Sequence, residues 1–492
     1  MLPVRSPYCA ATLLLLAFLF AANLYRAATQ SLVHDEALTW QFYLDGPPAQ
    51  MFEMYDANHH VLNTLLEKAS VSLFGTSEFT LRLPSVIGGL VYLAAVYLLC
   101  ADFFGGGAWL LLATAWLTLN PFVLDFLSAA RGYGMGLALM MVALAAALGY
   151  TRGRQDRYLY AAGAAMGLAV SANLTYVFPC AGIAASLAAW VWRAAPASIH
   201  ADGKQSRTAK RKRRRTEERR RPGAAGTLGR MLLPAAVIGV AIAAEPLSHA
   251  RREHFQVGTE SLWETCRSLA AASLLHRPEW SRLEAWAGPI GAVLAAGAIA
   301  AAAVAVWRSW RGPEARLWIP AASLLVTLGL VVAAHFLAGI RYPEGRMALY
   351  WIPLAGLTWF ARLRQAPRAW QAAGAAAMAA VVMIFALQWN THFYYVWRYD
   401  AGTRRAMEVI RSRHPAPVDP PPRIGATWAL EPSLNFYRSR LGLEWIPEVT
   451  RAGAEGHYEY YLLMPNDHKL VDYYKLKVLA RDDTAETVLA AR

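Results

Sequence analysis

The sequence predicts an α-helical polytopic membrane protein with about eleven transmembrane helices and a small C-terminal α/β extracytoplasmic domain. Composition gives the class: 56% of the 492 residues are hydrophobic, and the mean hydropathy is +0.26. Apolar stretches close to the ~20 residues that cross a bilayer recur along most of the chain. The last part of the chain has fewer of them and contains short alternating segments instead.

The eleven expected spans follow one another as far as residue 389. The third, sixth and tenth are short for a bilayer. The first span, which follows Arg5, also fits a cleaved signal peptide, but no small-x-small cleavage site follows it and many spans come later, so an uncleaved anchor is favoured. We expect the spans at residues 9–25, 83–100, 107–120, 132–150, 158–177, 179–193, 231–246, 287–307, 317–338, 347–361 and 371–389.

The net charge of +14 is concentrated in a few loops. The densest basic run, Lys210–Arg215, lies in a loop at 194–230, and further arginines fall in the loops near 152–157, 308–316 and 362–368. All four loops share one side, so the positive-inside rule predicts a cytoplasmic N-terminus and a C-terminal domain outside the cytoplasm. The basic loop suits contact with anionic membrane lipid. Without interleaved aromatic residues it does not indicate a nucleic-acid partner.

The first outer loop, residues 26–82, contains two adjacent carboxylates, Asp35 and Glu36. Ionisable side chains at the edge of a membrane segment are costly in lipid and are therefore candidates for a functional site. The alternative is that they cap a helix over residues 37–44. A second helical stretch begins near Asn58-His59-His60, but adjacent histidines on a helix point apart and make a poor metal site.

Several segments, in their order along the chain, resemble the GT-C superfamily of integral-membrane glycosyltransferases. They are HDEALTW, NHHVLNTLL, LFGTSEFTLRLPSVIGG, SAARGYGMGL, Tyr342–Arg346 and Tyr394–Asp400. The resemblance is to the bacterial members of glycosyltransferase family 39, which are related to protein mannosyltransferases and to the lipid A aminoarabinose transferase. It covers the first 180 residues or so and returns in the two later motifs.

The resemblance implies transfer of a sugar from a polyprenyl-phosphate donor on the outer face of the membrane. In the family the acidic residue of the first-loop motif, here Asp35, acts as general base, and Glu36 is its neighbour and possible substitute. The leaving phosphate needs cations, and a guanidinium offers two parallel donors to it. The substrate-binding residues that we expect are His60, Asp125, Arg131, Tyr133, Arg341, Tyr342 and Arg346.

Each assignment has a structural alternative. Arg131 and Arg346 would also fit arginines that reach lipid headgroups, and Asp125 fits a cation ligand, a helper of the base or a solvated turn carboxylate. Some relatives have an acidic residue or Gln just before the Ala-Arg of the motif, where this chain has Ala129. No cofactor is expected with certainty, and a divalent metal stays open.

In the C-terminal domain, residues 391–492, the pattern predicts strand, helix and strand at 423–430, 432–440 and 458–464. Acceptor recognition or covering of the active site would be its role. The predicted function is a glycosyltransferase of the cell inner membrane whose acceptor is a lipid, a glycan or a protein. The alternatives are a polyprenyl-linked glycan flippase or transporter and a glycan ligase or polymerase.

Overall fold

The computed structural model describes residues 6–194, 223–310 and 314–492, so most of the basic loop expected at 194–230 lies outside the described residues. Within them the chain is largely helical, and a helix overlaps every expected span. These helices are α1 (Pro7–Thr29), α5 (Glu78–Phe104), α6 (Ala108–Thr118), α8 (Gly132–Gly153), α9 (Asp156–Ala172), α10 (Val177–Ala194), α11 (Ala224–Ser248), α13 (Ala287–Arg308), α14 (Ala315–Ala338), α15 (Trp351–Leu363) and α16 (Arg368–Gln388).

Shorter helices connect or follow these. Those that lie between the long helices are α2 (His34–Thr39), α3 (Gln50–Glu53), α4 (Val61–Phe74), α7 (Pro121–Phe126) and α12 (Leu262–Leu274). Those of the C-terminal part are α17 (Thr403–Arg413), α18 (Glu431–Arg440) and α19 (Lys469–Tyr473). A π-helical turn, Trp40–Leu44, continues α2.

Among the described helices, eight are long and apolar enough to cross a membrane. Helices α6, α9 and α15 have 11, 17 and 13 residues, fewer than the ~20 residues that a full crossing needs. Large apolar side chains lie on the outside of the bundle, for example Leu14 and Trp370, as expected where lipid replaces water. The chain is a multi-pass membrane protein.

The described parts of three basic loops expected on one side, near 152–157, 308–316 and 362–368, meet at one end of the bundle. There the Ser6 hydroxyl donates to the Gly106 carbonyl at 2.5 Å. Asp102 accepts from Arg316 at 2.9 Å and also pairs with Arg152. The first loop, the start of α8 and the C-terminal part gather at the opposite end.

Two glycines let α8 begin close to its neighbours. A Cβ on Gly134 would overlap the carbonyl of Phe126 in α7, and one on Gly132 would overlap the carbonyl of Ala172 at the end of α9. Because glycine has no Cβ, the backbones can approach at both points. This fixes the position of Arg131, the residue just before α8.

The C-terminal part contains a four-stranded sheet in the order β1 (Ile424–Ala426), β2 (Tyr460–Leu463), β4 (Thr487–Ala491), β3 (Lys477–Asp482). Strands β1 and β2 are parallel, and α18 lies between them in the chain. The predicted strand at 423–430 is shorter than expected, because Trp428–Leu430 forms a 3₁₀ turn that leads into α18. The hairpin of β3 and β4 was not predicted.

The first outer loop and the C-terminal part share one hydrophobic core. Leu32, Ala37 and Trp40 belong to the same buried cluster as Leu434 and Phe436. The Trp40 and Phe436 rings meet edge to face at 5.2 Å between centroids. The segment that carries Asp35 is therefore packed against the C-terminal part of the chain.

Candidate active site

A cavity of about 1140 Å³ lies at the end of the bundle away from the basic loops. Its wall is formed by the first loop, the ends of α9 to α12 and α14, and the segments around 340–347 and 395–398. Cations outnumber acids on this wall. Among the residues that the structure describes, the charged ones on this wall are Arg267, Arg277, Arg341, Arg346, Arg398, Glu284 and Glu344.

Asp35 lies in the first turn of α2, almost buried, with 12% of its side chain exposed. Its Oδ2 atom is 2.9 Å from the Arg346 guanidinium and 3.9 Å from that of Arg131. Burial opposes ionisation of this carboxyl, but the charges of Arg346 and Arg131 outweigh it and hold its pKa below the usual value. Asp35 is therefore an ionised carboxylate at neutral pH.

Arg346 connects this carboxylate to the cavity. It lies in a 3₁₀ turn, Gly345–Ala348, and its guanidinium lies over the rings of Trp397 and Tyr133, 5.1 and 5.8 Å from their centroids. Among the described residues Arg346 lines the cavity and Asp35 does not. The arginine thus stands between Asp35 and the cavity.

Arg131, expected to contact the phosphate, is buried and acts on the protein itself. Its guanidinium donates to the Thr39 hydroxyl at 3.0 Å, to the Asn58 side-chain oxygen at 2.6 Å and to His60 Nε2 at 2.8 Å. These bonds join α2 to the segment that begins α4. In this structure Arg131 holds the frame around Asp35 and is not on the cavity wall formed by the described residues.

His60 and Tyr133 do lie on the cavity wall, as expected of substrate-binding residues. Their rings meet edge to face at 4.8 Å. Burial, aided by the charge of Arg131, keeps the pKa of His60 well below its usual value, so the ring is neutral. Both side chains lie beside the Asp35–Arg346 pair.

Glu36 is not placed to substitute for Asp35. Its two carboxylate oxygens accept from Arg82 at 2.9 and 2.6 Å, from the Ala130 N–H at 2.6 Å and from the Val33 N–H at 3.0 Å. The pair is fully buried. A carboxylate bound by four donors has no free position for a substrate proton, so the geometry argues against Glu36 as a base.

Asp125 is buried as well, and is not the solvated turn carboxylate considered from the sequence. It pairs with Arg26 of α1, accepts from the Tyr395 N–H at 2.8 Å and lies 3.5 Å from His276 Nε2. It connects α1, α7 and the segment after α16. Asp125 itself is not among the described residues that line the cavity, but its partners Tyr395 and His276 are.

The two expected residues before Arg346 differ from each other. Arg341 lines the cavity and is half exposed, with an ion pair to Glu260 at 3.1 Å. Tyr342 is buried, stacked on His335 at 4.1 Å, and its backbone bonds with Thr259 in both directions at 2.9 Å. Tyr342 therefore holds this loop in place.

The residues around Asp35 do not fit a divalent cation. Its nearest charged neighbours are two arginines, whereas such ions take several oxygen or nitrogen ligands. In the described part of the chain no three His, Cys, Asp or Glu side chains come together as metal ligands.

Sequence reasoning overlooked residues whose role depends on distant partners. Arg82, which lies in the LFGTSEFTLRLPSVIGG segment, pairs with Glu36. Trp397 and Asp400 lie in a motif that carried the resemblance, yet no role was assigned to either. Asn58 was noted only as the start of a helix, but it bonds Arg131. An arginine in an apolar helix is one available signal, since such a charge requires a partner.

No family model matches the chain, and no curated protein matches its sequence. Several solved structures are similar to the chain in fold. The crystal structure of ArnT from Cupriavidus metallidurans bound to undecaprenyl phosphate is similar at a TM-score of 0.50 and 14% identity, over 98% of both chains, and the apo structure gives the same values. An oligosaccharyltransferase from Archaeoglobus fulgidus, in complex with Zn and sulfate, has a TM-score of 0.44 and 12% identity, over 93% of this chain and 69% of that chain. The likeness to ArnT establishes the fold, a polytopic membrane-helix bundle followed by a small C-terminal α/β part, as expected from the sequence.

Proposed function

We propose that this protein is a membrane glycosyltransferase that moves a sugar from a polyprenyl-phosphate donor to a hydroxyl acceptor at the outer face of the inner membrane. The observation that carries the proposal is the Asp35–Arg346 pair, whose arginine lines a large cavity together with other arginines. A base and a phosphate-binding cation are the two groups that this reaction needs. The fold is shared with ArnT, whose structure holds undecaprenyl phosphate.

In the proposed reaction the acceptor oxygen attacks the anomeric carbon while Asp35 takes the hydroxyl proton. The bond from that carbon to the phosphate oxygen breaks, and polyprenyl phosphate leaves with the electron pair. Arg346 stabilises the charge that develops on the phosphate, while His60 and Tyr133 border the reacting groups.

Donor binding would also prepare the base. The Arg346 guanidinium forms an ion pair with Asp35 Oδ2 at 2.9 Å. A phosphate in the cavity offers the same guanidinium two oxygens in a bidentate arrangement. Its binding would draw Arg346 away and free the carboxylate for the acceptor hydroxyl.

The orientation supports an outer-face site. The end of the bundle with Arg152 and Arg316 is the one expected in the cytoplasm, and Asp35 lies at the other end. The C-terminal part then lies outside the cytoplasm, together with the cavity.

The test uses the full chain in lipid nanodiscs with a panel of radiolabelled undecaprenyl-phosphate hexoses and pentoses. Envelope lipid, glycan and protein fractions serve as acceptors. We expect label to move from the carrier to one fraction, and Asp35→Asn to abolish this at unchanged undecaprenyl phosphate binding. Asp45→Asn, an exposed carboxylate of the same loop, is the matched control and should retain transfer.

Three results would count against the proposal. Full transfer by Asp35→Asn would remove the base from the mechanism. The same protein is also placed in closed lipid vesicles. Movement of the intact labelled carrier across the vesicle membrane, without sugar transfer, would indicate a flippase. Transfer of whole oligosaccharides but of no single sugar would indicate a ligase or polymerase.

A further inference from the structure

Helix α2, which carries Asp35, has no side-chain acceptor at the position just before it, and its only local cap bond among the described contacts runs from the Val33 N–H to Glu36. The first N–H groups of a helix have no partner inside it and usually bond a Ser, Thr, Asp or Asn just before the helix. Here that residue is Val33, whose side chain has no acceptor. The His34 N–H instead donates to Asp400 Oδ2 at 2.7 Å, across 366 positions of the chain.

Three more bonds from the C-terminal part hold the same segment. The Leu32 N–H donates to the Tyr437 hydroxyl at 2.7 Å. His34 Nδ1 lies 2.6 Å from the Ala429 carbonyl, and the Ser31 hydroxyl donates to the Ala401 carbonyl at 2.9 Å. The start of α2 therefore takes its position from residues 400–437.

Asp400 itself is fully buried at the end of a 3₁₀ turn, Tyr395–Asp400. The same turn presents Trp397, the ring beneath the Arg346 guanidinium. Burial raises the pKa of Asp400 to about 8, against the hydrogen bond from His34, so at pH 7 the carboxyl is largely neutral. A neutral acid still accepts the His34 N–H and does not repel the Asp35 carboxylate.

We propose that Asp400 is a positioning residue: by capping α2 from the C-terminal part it fixes the Asp35 carboxylate against Arg346 and the cavity. The inference rests on the proposed role of Asp35 as base. A misplacement of about 1 Å at a reacting group costs on the order of 100-fold in rate, and a helix of six residues has few internal hydrogen bonds to hold its start in place.

The experiment compares Asp400→Ala with Asp400→Asn, using the labelled donor and acceptor fraction on which the wild type is active. The asparagine oxygen accepts the same N–H, and its amide resembles the neutral acid. We expect Asp400→Ala to lose on the order of 100-fold in kcat, at an unchanged donor KM and unchanged thermal stabilisation by undecaprenyl phosphate. Asp400→Asn should restore most of the lost activity.

Two further variants separate positioning from general loosening. Asp467→Ala removes the bond, 2.6 Å long, that Asp467 accepts from the Thr427 hydroxyl inside the C-terminal part, and should keep kcat. Tyr437→Phe removes the bond to the Leu32 N–H and should lower kcat without changing undecaprenyl phosphate binding. If Asp400→Ala does not fold, this variant tests whether the C-terminal part positions α2.

The inference is wrong if Asp400→Ala, or Tyr437→Phe in its place, keeps the wild-type kcat. It is also wrong if Asp400→Asn is as slow as Asp400→Ala. Neither result affects the proposed function while Asp35→Asn stays inactive. Full activity of Asp35→Asn would instead refute the role of the base on which both rest.

Discussion

At the scale of single residues, the chemistry depends on a balance around Asp35. Burial favours the neutral acid, and two arginines favour the carboxylate strongly enough to lower its pKa. A lower pKa secures the ionised form at neutral pH but makes it a weaker proton acceptor. A donor phosphate that binds Arg346 would weaken the effect of this arginine on Asp35. The carboxylate would then be a stronger base when the acceptor hydroxyl reacts.

Arg346→Gln should therefore shift the pH dependence of transfer. Without the arginine, burial dominates and the pKa of Asp35 rises, so the acid-side fall of kcat/KM moves to higher pH. That parameter reports the free enzyme. The control is Arg341→Gln on the same wall, whose ion pair is with Glu260 and which should leave the profile in place. If the acid limb of the kcat/KM profile does not move, Arg346 does not control the ionisation of Asp35.

Glu36 and Asp35 are neighbours with opposite expected phenotypes. Glu36→Gln leaves Arg82 fully buried without its charge partner, which costs about 3–5 kcal/mol of folding free energy. We expect a clear fall in thermal unfolding temperature in detergent, compared with Glu53→Gln at an exposed site. Normal stability with abolished transfer would return Glu36 to the catalytic candidates.

At the scale of elements, the start of α8 depends on a close backbone approach. Gly134→Ala places a methyl group on the carbonyl of Phe126, so α7 and α8 must separate, and we expect destabilisation of about 1–3 kcal/mol. Gly239→Ala is the matched control because nothing lies within 4 Å of the added Cβ. It should be neutral or slightly stabilising, since alanine is the better helix former. Equal unfolding temperatures for the two variants would contradict the close packing.

Elements that depend on local sequence could be predicted, whereas those that depend on distant partners could not. The spans follow from apolar length alone, which is a local property. The capping of α2 by Asp400 and the pairing of Arg82 with Glu36 join residues 366 and 46 positions apart, so no local pattern contains them. The sequence predicts Arg131 as a phosphate ligand from its place before a helix. That place does not reveal that the side chain bonds Asn58 and His60.

At the scale of the whole molecule, the active-site end combines segments from the beginning, middle and end of the chain. Asp35 comes from the first loop, Arg346 from the loop after α14, and Trp397 from the segment after α16. The shared hydrophobic core of residues 32–40 and 406–446 joins the C-terminal part to this end. A soluble fragment of that part would expose apolar surface that the first loop covers.

The orientation predicts which ends of the bundle are accessible from outside the cell. In a Cys266→Ser background, single cysteines replace exposed residues: Glu53 in the first loop, Glu455 in the C-terminal part, and Gln155 in the loop between α8 and α9. The native Cys9, Cys100 and Cys180 are buried. A membrane-impermeant maleimide applied to right-side-out vesicles should label positions 53 and 455, and should label position 155 only after permeabilisation. The reverse pattern would place the cavity in the cytoplasm, and labelling of 53 and 455 on different sides would separate the C-terminal part from the site it is proposed to hold.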